Sequence, residues 1–222
     1  MNKALVVLSG GQDSTTCLYW AIDKFGIDAV SSLTFDYGQK HRIELACAKE
    51  VAEMAGVTNS VLPIDTFRIL GGNALTDDIN VESEVDPDTQ LPNTFVPGRN
   101  LIFLTYAAAF AYQRGISNLV TGVAQTDYSG YPDCRNDTIE SLQNTIRLGM
   151  ETEVTIHTPL MWLSKAETVL LAKQLGALEA MAYSHTCYNG QQPPCGTCPA
   201  CELRAKGFEE AGIADPLVQR FN

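Results

Sequence analysis

No apolar run in this sequence reaches the ~20 residues that a membrane-spanning helix needs. The longest, Leu101 to Tyr112, is interrupted by Thr105. The opening Met1-Asn2-Lys3 leads into only five apolar residues before Ser9 and two glycines, too short for the apolar stretch of a secretory leader. Basic charge is scarce as well: 15 Lys and Arg stand against 26 Asp and Glu, a net charge of −11. Such a chain repels phosphate backbones, which argues against direct, sequence-independent binding to nucleic acid. A Walker lysine is also missing, because no Gly-Lys-Ser/Thr follows the glycines of the first loop, and no Gly-x-Gly-x-x-Gly occurs there. There is no internal repeat and no low-complexity tract. These absences leave the expectation of a cytoplasmic protein with neither membrane nor nucleic acid as a direct partner.

What is present reads as an α/β domain. Ala4 to Leu8 is a short continuous apolar run, the mark of a strand buried on both faces. Ser14 to Phe25 carries Cys17, Leu18, Ala21, Ile22 and Phe25 at helical spacing, with Gly26 as a stop. Strands over Ala29–Phe35 and Ser60–Ile64 flank a helix over Lys40–Ala55, whose apolar stripe is Ile43, Cys47, Val51 and Met54. Gly71 to Gly98 breaks the rhythm with an acidic, proline-bearing stretch, the kind of long irregular segment that is usually functional or mobile. Further on, helices over 100–114, 137–149 and 164–175 alternate with strands over 118–123 and 154–157. Alternation of this kind predicts a parallel sheet with helices on both faces, and ligands beyond the carboxyl ends of its strands. The domain is expected over residues 1–180, with a small cysteine-rich segment and a C-terminal helix over 181–222.

The first of those loops is Ser9-Gly10-Gly11-Gln12-Asp13-Ser14. Glycines let backbone N–H groups come close to an anion, and the helix that follows aims its free N–H groups and positive dipole end at the same point. Ser9, Ser14 and Thr15 add hydroxyls, and Asp13 makes sense beside phosphates if it holds a magnesium ion. The plain alternative is a glycine turn capped by Ser14.

Four of the seven cysteines, Cys187, Cys195, Cys198 and Cys201, fall within fifteen residues, the last three as C-x-x-C-x-x-C among glycines and prolines. Four thiolates suit a closed tetrahedral zinc site of structural role. An iron–sulfur cluster is the competing reading, and a redox C-x-x-C a more distant one. Cys17 and Cys47 belong to apolar helix faces, and Cys134 lies in a candidate site loop, where a half-buried bystander is the simpler reading.

Other loops carry candidate groups. Asp36 to His41 ends the second strand, where an adenine could rest, with His41 and Arg42 in reach of phosphates. Arg99 opens a helix after Pro97-Gly98, and the alternative for it is a structural salt bridge. Asp127, Tyr131, Asp133 and Arg135 crowd one loop after a strand, a recognition surface for a flat polar molecule unless the loop is merely solvated. Ser164 and Glu167 form a capping box, which places Lys165 in a first helical turn where a cation fits poorly without an anion nearby.

The string Ser9-Gly10-Gly11-Gln12-Asp13-Ser14 resembles the PP-loop ATPase superfamily. Together with Phe95–Asn100, Thr121–Arg135, Thr158–Thr168 and the Cys187–Cys201 knuckle, it resembles the 7-cyano-7-deazaguanine synthase family over nearly the whole chain. The resemblance implies an enzyme that turns 7-carboxy-7-deazaguanine and ammonia into the nitrile at the expense of ATP, in queuosine biosynthesis. It implies ATP binding by Leu8, Ser9, Gly10, Gly11, Gln12, Asp13, Ser14, Thr15, Thr16, Cys17 and Leu18. It implies one structural Zn2+ on Cys187, Cys195, Cys198 and Cys201, Mg2+ with the ATP, and a homodimer. Asp13 and Lys165 are then candidates for the catalytic centre, and Arg99, Asp127, Tyr131, Asp133 and Arg135 for the deazaguanine or its carboxylate. The rivals are another PP-loop ligase acting on tRNA, which the acidic charge disfavours, and a non-enzymatic zinc knuckle, which would leave the first loop without a purpose.

Overall fold

A computed structural model of the chain describes residues 2–39, 42–81, 85–126 and 130–221. In chain order its regular elements are β1 (Ala4–Val7), α1 (Gln12–Phe25), β2 (Val30–Asp36), α2 (Ile43–Met54), β3 (Asn59–Pro63), α3 (Phe67–Leu70), α4 (Arg99–Tyr112), β4 (Asn118–Val120), α5 (Asn136–Met150), β5 (Thr155–His157), α6 (Lys165–Gln174), α7 (Leu178–Met181), α8 (Pro199–Glu210) and α9 (Pro216–Arg220).

The strands form one parallel sheet in the order β3-β2-β1-β4-β5. The side-chain period of two divides β1 between the two layers. Leu5 packs with Leu33, Leu119 and Ile156 against α4 and α5, while Ala4, Val6 and Leu8 pack with Cys17, Leu18, Ala48 and Val51 against α1 and α2. Both faces are therefore covered, as the continuous apolar run of β1 requires. The strand order reverses between β1 and β4, so the loops leaving their carboxyl ends diverge and open a crevice there.

The remainder of the chain closes around that crevice. Between Gly71 and Gly98 the described residues form no helix or strand, yet they are built: Ala74 N donates to Asn93 O at 2.8 Å, Val85 bridges Pro92, and Val96 is buried. At the other end Phe208 of α8 shares a small core with Val169, Ala172 and Met181. Gly207 permits that packing: a methyl group on it would stand 2.8 Å from Lys165 Cβ.

Several boundaries differ from expectation. Helix α1 starts at Gln12, with Gly11 as its N-cap and no side-chain cap, so Ser14 lies inside the first turn rather than at its head. On α2 the buried face is Ala48, Val51 and Ala52, one step around from the expected stripe, and Met54 is 37% exposed. Small residues on that face let the helix lie close on the sheet. The strand expected over 118–123 ends at Val120, because Thr121 onward turns into the crevice. The short helices α3, α7 and α9 were not expected.

Candidate active site

The uncapped start of α1 is the centre of the crevice. The first N–H groups of a helix have no intrahelical partner, and Gly11 offers no side chain to satisfy them. The hydroxyls of the loop instead tie the turn together. Ser14 Oγ meets Ser9 Oγ at 3.0 Å and donates to Gly11 O at 3.0 Å, while Thr15 Oγ1 donates to Gly11 O at 2.9 Å. Gly10, at φ +87°, brings the loop hard against α2: a methyl group there would lie 2.4 Å from Glu44 O and 2.7 Å from Ala48 N. His185 N, from the far end of the chain, donates to Gly10 O at 2.8 Å. The result is a braced cradle whose open N–H groups suit phosphate oxygens.

Asp13 and Lys165 meet at the edge of that cradle, Nζ to Oδ2 at 2.8 Å. The capping box of α6 fixes the start of that helix: Glu167 N donates to Ser164 Oγ at 3.2 Å and Ser164 N to Glu167 Oε2 at 2.8 Å. Lys165 is thereby held in the first turn, where it needs an anion, and Asp13 is that anion. The other carboxylate oxygen of Asp13, Oδ1, is buried without a hydrogen-bond partner, as is Nε2 of Gln12. A divalent cation bound with phosphates would take such an oxygen, so Asp13 fits a magnesium ligand.

The cleft holds about 280 Å³ and runs from this cradle to a wall of aromatic and charged groups. Arg99 leads α4 into it, with its guanidinium carbon 5.9 Å from the Tyr37 ring centre and 5.8 Å from that of Tyr131. Burial works against the Arg99 charge, but Tyr37, Tyr131, Tyr188 and Asp133 together keep the guanidinium above its ordinary range. Burial pushes the Tyr37 phenol up to about 12, with Arg99 pulling it down, so it stays a neutral donor. Phe103 stacks on Phe35 at 4.4 Å between ring centres and extends the flat surface. Glu44, from the first turn of α2, also faces the cleft; burial pushes its carboxyl up to about 7, and Arg99 opposes that shift.

The C-terminal segment supplies the remaining wall through His185, Thr186, Tyr188, Leu203 and Arg204. Arg204 is held by Asp215 at 2.6 and 2.8 Å and by Ser184 Oγ at 2.8 Å, a buried latch between α8 and the tail. Beside it the sulfur atoms of Cys187, Cys195, Cys198 and Cys201 all lie within 4.8 Å of one another. Four sulfurs on one ion at the usual zinc–sulfur length stand about 3.8 Å apart, so the group suits a single tetrahedral metal. Cys198 N donates to Cys195 Sγ at 3.3 Å and Cys195 N to Cys187 Sγ at 3.5 Å, contacts that favour thiolates.

The expected site residues divide accordingly. Leu8, Ser9, Gly11, Gln12, Asp13, Ser14, Arg99, Tyr131 and Lys165 line the cleft. Gly10 braces the loop from behind, and Thr15, Thr16, Cys17 and Leu18 are fully buried behind it, Cys17 and Leu18 in the core. Asp133 is buried and accepts from Asn100 N at 2.9 Å, so it caps α4 and sets the direction of Arg99. Arg135 is exposed as the N-cap of α5 and is not in the cleft wall. Arg42 is exposed and paired with Asp36. Asp127 and His41 lie outside the described residues. Glu44, His185, Tyr188 and Arg204 were not anticipated; only Glu44 had a local sign, an acid in a first helical turn beside the Asp36–His41 string.

Comparison with known proteins follows the same lines. The family described as queuosine biosynthesis protein QueC matches residues 3–212. The 7-cyano-7-deazaguanine synthase of Chromobacterium violaceum is 69% identical over 220 residues, covering 99% of this chain and 94% of the relative. That of Bacillus subtilis is 52% identical over 212 residues, 94% of each. Among solved structures, NMN synthetase from Francisella tularensis aligns with a TM-score of 0.53 at 14% identity, over 100% of this chain and 82% of the other. A Methanocaldococcus jannaschii protein described as a predicted subunit of tRNA methyltransferase aligns at 0.51 and 21% identity, over 78% and 75%. At such identities these two show a shared fold.

Proposed function

Because this chain belongs to the QueC family, we propose that it is a 7-cyano-7-deazaguanine synthase, converting 7-carboxy-7-deazaguanine and ammonia to the nitrile with ATP. The observation that carries the reading is the uncapped, glycine-braced start of α1 with the Asp13–Lys165 pair at its edge, facing an arginine and aromatic wall across one cleft. One end suits a triphosphate and the other a flat acid.

The chemistry follows from what a carboxylate lacks. Its oxygen is a poor leaving group. In the proposed sequence a carboxylate oxygen attacks the α-phosphorus of ATP, the bond to pyrophosphate breaks, and an acyl-adenylate forms. Ammonia adds to the acyl carbon, loses a proton, and expels AMP to give the amide. The amide oxygen attacks the α-phosphorus of a second ATP and the bond to pyrophosphate breaks, and loss of AMP and of both nitrogen-bound protons then leaves the carbon–nitrogen triple bond. The loop N–H groups and Lys165 stabilise charge that builds on the phosphates. Asp13 would hold magnesium through Oδ1, and that ion would neutralise triphosphate charge. Cys187, Cys195, Cys198 and Cys201 would hold one zinc ion that keeps the wall from His185 to Arg204 in place. The division at residue 180, the cytoplasmic location and a homodimer belong to the same proposal. Among the described residues no helix is long and apolar enough to cross a membrane.

Incubation with ATP, ammonium and 7-carboxy-7-deazaguanine, followed by mass spectrometry, tests this reading. Nitrile formation is the expected result; unchanged substrate under conditions where the folded protein binds ATP would refute it.

A further inference from the structure

Glu44 stands in the cleft without an assigned task. Its backbone is fixed, because its carbonyl oxygen packs on Gly10 so closely that no methyl group fits between them. Its carboxyl group accepts no hydrogen bond and forms no ion pair with any described residue, yet it lines the same wall as Arg99, Tyr37, Tyr131 and Phe103. A half-buried carboxylate that accepts no hydrogen bond, with the Arg99 charge acting on it from nearby, is costly in a ligand cleft unless the ligand supplies donors. The phosphate end is occupied by other groups, Ser9 to Ser14 and Lys165. The Glu44 carboxyl acts electrostatically on Tyr37 and is acted on by Arg99, which sets it toward the aromatic end of the cleft, where the flat part of a ligand would lie.

We propose that Glu44 reads the 2-amino-4-oxo edge of the deazaguanine, accepting from its ring N–H and exocyclic amine, while Arg99 takes the acid or oxo side of the same base. This rests on the synthase reading above. The chemistry selects this ligand over adenine. A guanine-type edge presents two adjacent donors, which match the two oxygens of one carboxylate. The adenine edge presents a donor beside an acceptor, and a carboxylate opposes that acceptor. Tyr37 and Phe103 provide apolar faces for the ring, and Asp133, by accepting from Asn100 N, steadies the turn of α4 that carries Arg99. The remaining candidate for Glu44 is the ribose diol of ATP, and the kinetics separate the two.

The test compares the whole enzyme with Glu44→Gln, measuring KM and kcat for 7-carboxy-7-deazaguanine and for ATP, and repeating both with the substrate analogue that lacks the 2-amino group. A bidentate contact of this kind is worth a factor of about 10 to 100. Glu44→Gln should raise KM for the deazaguanine by that factor and leave KM for ATP within about twofold. Wild type should disfavour the desamino analogue by a similar factor, and Glu44→Gln should lose that preference. A higher KM for ATP alone, or discrimination retained in Glu44→Gln, would overturn the proposal. If Glu44→Gln does not fold, Glu44→Asp serves, since withdrawing the carboxylate by one methylene must also weaken the base and not ATP. Equilibrium binding of 7-carboxy-7-deazaguanine without ATP separates this idea from the broader one. Glu44-dependent binding with no nitrile formed would sink the synthase reading and leave the recognition intact.

Discussion

Asp13 and Lys165 are 152 positions apart and meet at 2.8 Å. Neither was assigned the other as partner from sequence, although the misfit of a lysine in a first turn pointed to some anion. Deleting the lysine should remove charge stabilisation at the phosphates while the capping box keeps α6 in place. Lys165→Ala is expected to lower kcat by about 100-fold or more; near-normal turnover in a folded variant would exclude the role. Glu44 makes a prediction about stability. Its carboxyl ionises near 4.5 in the unfolded chain and near 7 in the folded one, so between those values the folded state holds the extra proton. Its contribution to stability must therefore fall as pH rises through that window, and level off above it. Urea denaturation of wild type and Glu44→Gln across the same range should show the slope in wild type and a flatter curve in the variant. The opposite slope would mean that the carboxylate is stabilised, not penalised, in the folded protein.

Elements tell how far local pattern reaches. The parallel sheet was legible because buried strands such as Ala4–Val7 are apolar throughout, and the capping box at Ser164 and Glu167 marked the N-cap of α6. Patterns failed where a contact came from far along the chain. Ser14 as a cap was the plain alternative, whereas the loop is held by Glu44 and His185 and α1 begins at Gln12 with Gly11 as an N-cap that has no side chain. Nothing local shows that Asp133 also accepts from Asn100 N at the start of α4. The short helices α3, α7 and α9 carry too few residues for a period to appear. Gly10→Ala tests the loop as an element. The added methyl would meet backbone of α2 at a positive φ, and neither neighbour can give way. A loss of at least ~2 kcal/mol of stability is expected, with activity lost as well. An unchanged denaturation midpoint would show that the loop and α2 are not locked together.

At the scale of the molecule the sheet supplies the phosphate cradle, the irregular stretch before α4 supports Tyr131 through Thr94, and the cysteine segment closes the cleft. In the proposed function the four-cysteine site would support activity by holding that wall, without touching the reacting atoms. Removing its metal with a chelator, or replacing Cys198 by serine, should release the wall from His185 to Arg204, lowering thermal stability and activity together. Full activity after complete metal removal would detach the site from the cleft. The acidic surface bears on the rival tRNA ligase, for which tRNA retention on a filter is the discriminating sign.

In the proposed function the first loop activates the substrate's own oxygens by adenylation. Carboxylate labelled with oxygen-18 tests it directly. Two AMP and two pyrophosphate are expected per nitrile, with one labelled oxygen on each AMP. Release of ADP, or label appearing in inorganic phosphate or water, would contradict it.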